Sequence, residues 1–67
     1  MEDKEIVLRR AKNAVISRDF NLAIRLYKSL LQEDVKNIEY LTALGNLYMK
    51  NNDDEKALLF YSHLPLP

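Results

Sequence analysis

The 67 residues allow one domain with a thin core, because a chain of this size buries only about 60% of the surface that its unfolded form exposes. There is no cysteine, which excludes a disulfide or a thiolate metal site. Ten basic residues balance ten acidic ones, seven against six in residues 1–34 and three against four in 35–67. That even spread excludes the polarised footprint that nucleic acid or an anionic membrane attracts.

The chain opens Met-Glu-Asp-Lys-Glu, without the basic start and apolar run of a secretory signal. The longest early apolar run is Ile6-Val7-Leu8. No segment approaches the roughly 20 apolar residues of a membrane span. A cytoplasmic chain with no membrane contact is therefore expected. Apolar residues then recur at three- and four-residue spacing, the mark of amphipathic helix. Val7, Ala11, Ala14 and Val15, with Leu8 beside them, predict a first helix over 4–16. Ser17-Arg18-Asp19 interrupts the pattern, and the Asp19 carboxylate suits an N-cap, where it accepts unpaired amide hydrogens of the next turn. Phe20, Ala23, Ile24, Tyr27, Leu30 and Leu31 predict a second helix over 20–32. After Asp34-Val35-Lys36-Asn37, with Asn37 as cap, Ile38, Leu41, Leu44, Gly45 and Tyr48, with Leu47 beside them, predict a third over 38–50. Asn51-Asn52-Asp53-Asp54 precedes the last stripe of Ala57, Leu58, Tyr61 and Leu64, predicted over 54–63. Asn52 with Glu55 has the spacing of a capping box, and Asp53 competes for the same role. Pro65 disfavours helical geometry at Leu64 and stops the helix near His63. Strict alternation of apolar and polar residues is nowhere sustained, so no strand is expected. Linkers of three to five residues fold each helix back on its predecessor. The prediction is all-α: four helices in two antiparallel hairpins, forming a single domain over 1–67.

Shifting the chain by 34 residues superposes its landmarks. Asp19 meets Asp53, Ala23 meets Ala57, Tyr27 meets Tyr61, Leu30 meets Leu64 and Glu5 meets Glu39. These are five identities over the 30 positions that pair, and most fall on small or aromatic positions where packing is demanding. Ala11 meets Gly45 and Val7 meets Leu41. A glycine within a helix costs about 1 kcal/mol relative to alanine, so Gly45 needs a reason, and close approach of a neighbouring helix supplies one. Tyr27 and Tyr61, one turn beyond Ala23 and Ala57, are placed to fill the space those alanines leave.

Leu41, Leu44, Gly45, Tyr48, Ala57 and Tyr61 resemble the spacing of the tetratricopeptide repeat. Residues 38–64 form the better copy. Residues 4–34 form a first copy that departs from the pattern at Arg10 and Ala14, where Leu and Tyr are expected. Residues 65–67 form a tail. The resemblance implies a short right-handed solenoid in which the first helix of each hairpin lines a concave surface for an extended peptide or a partner helix. Carried over, the concave candidates are Glu5, Leu8, Arg9, Lys12 and Ile16, then Glu39, Thr42, Asn46, Met49 and Lys50. Some relatives clamp a C-terminal carboxylate with Lys and Asn four residues apart. Here Leu8, Lys12, Thr42 and Asn46 occupy those positions and only Asn46 fits, so no clamp is expected. The mixed charge, with Leu8, Ile16 and Met49 as anchors, suits an amphipathic helix or mixed peptide.

The fourth helix carries more apolar residues than one hairpin can cover. Leu58 and Tyr61 are expected to pack inward, leaving Leu59, Phe60 and Leu64 as an exposed apolar end patch. Continuation of the array, self-association through this helix or a partner's helix would each cover it. Catalytic chemistry has little support. His63 has no evident acid or nucleophile and sits where the helix dipole favours a cation. Asp53-Asp54-Glu55 lacks the glycine-centred spacing of a calcium loop. Glu5, one turn before Arg9, offsets the small basic cluster of Arg9, Arg10 and Lys12. No cofactor is expected. The sequence points to a non-enzymatic adaptor or scaffold that binds another protein. The alternative is a structural oligomerisation unit, or the edge of a longer array, without a groove of its own.

Overall fold

The computed structural model describes residues 3–64, and the tail call over 65–67 lies outside them. The described residues form four helices: α1 (Lys4–Ile16), α2 (Phe20–Glu33), α3 (Ile38–Lys50) and α4 (Asp54–Ser62). No strand occurs among them. Each helix packs on its neighbours in sequence, α1 on α2, α2 on α3 and α3 on α4. The all-α double hairpin is therefore observed. None of these helices is long and apolar enough to cross a membrane.

The 34-residue register is written into the backbone. Asp3 caps α1 by accepting the Glu5 amide at 2.9 Å, and Asn37 caps α3 by accepting the Tyr40 amide at 3.1 Å. Asp19 and Asp53 cap α2 and α4 through the amides of Leu22 and Lys56, each at 3.3 Å. The turns inside the two hairpins also match. Arg18 and Asn52 both take the left-handed conformation, with φ of 62° and 61°. The Asp19 amide donates to the Ala14 carbonyl and the Asp53 amide to the Tyr48 carbonyl, both at 2.8 Å. The Arg18 amide donates to Val15 at 3.0 Å and the Asn52 amide to Met49 at 3.1 Å. This paired bonding is a Schellman ending, which satisfies the last free carbonyls of a helix. Asn52 is thus the left-handed residue of the turn and not the cap; that role falls to Asp53.

Two helix ends differ slightly from expectation. α2 runs to Glu33, and α4 stops at Ser62 because the His63 amide bonds three residues back, to Phe60, and tightens the last turn.

The core consists of the inward stripes of all four helices. Ala11, Ala23, Leu44 and Ala57 are fully enclosed. The three alanines hold the positions where bulk would push helices apart. Tyr40 is buried and meets Tyr27 with ring centroids 6.2 Å apart, a role its place outside the third stripe did not suggest. Ile38, counted in that stripe, is exposed at the first turn of α3. Gly45 makes the expected close approach, but to a ring and not to a helix backbone. A Cβ built there would lie 2.7 Å from Cδ1 and 2.8 Å from Cζ of Tyr61, and nearer still to Cε1.

The rotation of α4 corrects two expectations. Leu58 is not inward but 66% exposed. Phe60 is half-buried, stacked on Tyr48 with centroids 5.4 Å apart and planes 11° from parallel. The stripe of α4 that faces α3 is Ala57, Phe60 and Tyr61, a spacing of zero, three and four. Tyr48 presents a flat face that only an aromatic neighbour covers well, and Phe60 is the residue that meets it. Leu64 is half-buried, so of the predicted end patch only Leu59 is fully outward, joined by Leu58.

Candidate functional site

The α1 and α3 helices were expected to share an outward face, and one ion pair ties them there. Lys12 Nζ on α1 lies 3.6 Å from Glu39 Oε2 on α3. Both side chains are about half exposed, so the pair adds little stability and chiefly marks adjacency. At the far end of the same two helices, Val15, Ile16, Arg18, Phe20 and Lys50 border a hollow of about 350 Å³. The Lys50 ammonium stands 5.9 Å from the centre of the Phe20 ring, on the edge of that hollow. Ile16 is 79% exposed and Met49 48%. Glu5 and Arg9 are exposed on α1.

Two of the predicted contact residues also serve the fold itself, and a third is half-buried. Leu8 is half-buried and packs against the core. Thr42 is half-buried on α3. Asn46 Oδ1 accepts a hydrogen bond from the Tyr61 hydroxyl, which holds the ring over Gly45. Asn46 is consequently a structural partner of α4.

Elsewhere the structure shows a second hollow that sequence reasoning did not find. It lies between α2 and α4, over α3, with a volume of about 470 Å³. Its apolar lining includes Leu31, Leu41, Leu59 and Phe60. Its walls come from positions as far apart as Lys28 and His63, so no local motif announces it.

Among the described residues, Tyr27 is an ionisable group clearly marked by its surroundings. Burial raises its pKa above the ordinary tyrosine value, and the neighbouring Glu39 charge and Tyr40 push the same way. The hydroxyl is thereby held neutral, as suits a core aromatic.

A family model described as Tetratricopeptide repeat matches residues 14–67. Comparison with curated proteins gave no match, and comparison with solved structures gave none.

Proposed function

We propose, since the chain belongs to the tetratricopeptide repeat family, that it is an adaptor holding an amphipathic helix or a mixed-charge peptide against the α1–α3 face. Members of this family are generally protein–protein interaction modules. The observation that carries the reading is the Lys12–Glu39 pair, which joins the two helices on one side while Ile16 and Met49 stand exposed on the same helices. A partner that covers those two apolar side chains removes them from water at about 25 cal/mol per Å². The flanking charges of Lys12, Glu39 and Lys50 set its orientation and its selectivity more than its affinity.

The test is affinity capture from a cell extract with the intact chain and with Ile16→Glu/Met49→Glu. Both positions are exposed, so the variant keeps its fold, and circular dichroism checks this. Proteins held by the intact chain and released by the double variant support the reading. Retention of the same proteins by the variant contradicts it.

A second reading, oligomerisation through α4, draws on Leu58. Its equivalent one repeat earlier is Ile24, which is only 7% exposed against 66% for Leu58. The difference arises because α2 lies between α1 and α3, whereas α4 packs on α3 alone. A molar mass of twice the chain, lost on Leu58→Glu, supports this reading.

A further inference from the structure

We infer that the hollow between α2 and α4 is a second binding site, specific for a short peptide segment that sets large apolar side chains beside carboxylates. Its floor is buried or half-buried and apolar: Leu41 from α3, Leu31 from α2 and Phe60 from α4. Its walls, Val35 and Leu59, are 64% and 60% exposed, apolar surface that solvent covers poorly. A volume of about 470 Å³ falls within the roughly 300–1,000 Å³ of sites that take small ligands or a few side chains. That is the size of a peptide's apolar residues and too small for a whole helix.

The rim specifies the charge. Lys28, Gln32 and His63 supply the polar groups, and none of the lining residues is acidic, although the chain has as many acids as bases. The Asp34 carboxylate, just past the end of α2, instead accepts a hydrogen bond from Asn37 Nδ2 at 2.9 Å. His63 Nδ1 lies 2.7 Å from the Leu59 carbonyl, to which the Ser62 hydroxyl also donates at 2.8 Å. Nδ1 therefore carries a proton that it donates, so in the neutral ring Nε2 is an acceptor, and His63 adds no negative charge to the rim. Lys28 from α2 is the cationic group that borders the hollow, and its ammonium is the point of attachment offered to a carboxylate.

Two other occupants fit less well. The chain's last residues, Leu64-Pro65-Leu66-Pro67, contain no acidic side chain to meet that rim. A second copy docking the same face with Lys28 at the twofold axis would bring the two Lys28 ammonium groups together, like charge against like.

The test uses the full chain and two labelled synthetic dodecapeptides. One centres on Asp-Phe-Asp-Leu and the other on Lys-Phe-Lys-Leu. Fluorescence anisotropy is expected to show the acidic peptide bound more tightly by about fivefold, the effect of an exposed charge pair. Lys28→Glu should reverse that preference, and Leu59→Glu should abolish binding of the acidic peptide. Both substitutions are at exposed positions, and an unchanged helical spectrum confirms folding. Equal binding of the two peptides, binding that survives Leu59→Glu, or no binding at all would overturn the assignment. So would a dimer whose contact buries Leu59. The Ile16→Glu/Met49→Glu variant, altered on the other face, should bind the acidic peptide as the intact chain does. Loss of this site thus remains distinguishable from failure of the α1–α3 reading.

Discussion

The Tyr61 ring occupies the space in which any side chain at Gly45 would stand, and its hydroxyl is fixed by Asn46, the next residue of α3. The two helices of the second hairpin are keyed to each other at this point. Alanine at 45 gains about 1 kcal/mol of helix propensity but forces the ring aside, an overpacking that typically costs about 1–3 kcal/mol. Gly45→Ala is therefore expected to lower stability in the intact chain. In a Tyr61→Ala background the obstacle is gone, and the same substitution should raise stability by up to about 1 kcal/mol. Urea denaturation of the four chains of this cycle measures the change of sign. The same cost in both backgrounds would mean that the ring does not explain the glycine.

Arg18 and Asn52 hold equivalent left-handed positions, but they do not hold them equally well. Asparagine tolerates this conformation, whereas for arginine it costs on the order of 1 kcal/mol. Arg18→Gly should raise stability by about 0.5–1 kcal/mol despite the entropy that glycine adds to the unfolded chain. Asn52→Gly should change it less. Thermal unfolding compares them, and a loss of stability in Arg18→Gly would show that its side chain does more than occupy the turn.

The rotation of α4 makes its adjacent apolar residues unequal. Phe60 stacks on Tyr48, so Phe60→Ala should cost about 2 kcal/mol, less than full burial would give. Leu58 is mostly in water, and Leu58→Ala should fall within about 0.5 kcal/mol of the intact chain. Equal losses at the two positions in a chain shown to be monomeric would contradict this rotation.

Tyr27 links stability to alkaline pH. Burial raises its pKa in the folded chain above the unfolded value, with the Glu39 charge and Tyr40 adding to the shift. The folded state then binds the phenolic proton more tightly than the unfolded one. The resulting stability is complete below the ordinary tyrosine pKa of about 10 and is lost as pH rises towards the higher folded value. Tyr27→Phe should flatten the decline in stability seen above about pH 10. Denaturation midpoints of both chains across that range test it, and parallel curves would count against it.

Much of the fold was legible because it is local. Asp19 and Asn37 announce helix starts through side chains that bond within three residues, and the 34-residue register needs only a comparison of the chain with itself. The facing of α4 was less legible. Ala57, Phe60 and Tyr61 have ideal helical spacing, but Leu58 and Leu59 are just as apolar, and the Tyr48 ring on another helix decides between them. The bond that Asn46 makes to α4 was hidden for a similar reason. Its partner Tyr61 is fifteen residues away, and nothing in the local pattern pairs them. The α2–α4 hollow is less local again, since its rim joins Lys28 to His63. On the α1–α3 face, the structure brings Lys12 to Glu39, half-buries Leu8 and Thr42, and bonds Asn46 Oδ1 to Tyr61, none of which the register implied.

The central claim is that the α1–α3 face holds a protein partner. Amide hydrogen exchange of the chain, alone and with the partner recovered by affinity capture, tests it most directly, because binding suppresses local opening where the partner lies. The account predicts slower exchange in α1 and α3, strongest around Ile16 and Met49, with the outer side of α4 little changed. Protection confined to α4, with α1 and α3 exchanging as in the free chain, would contradict it.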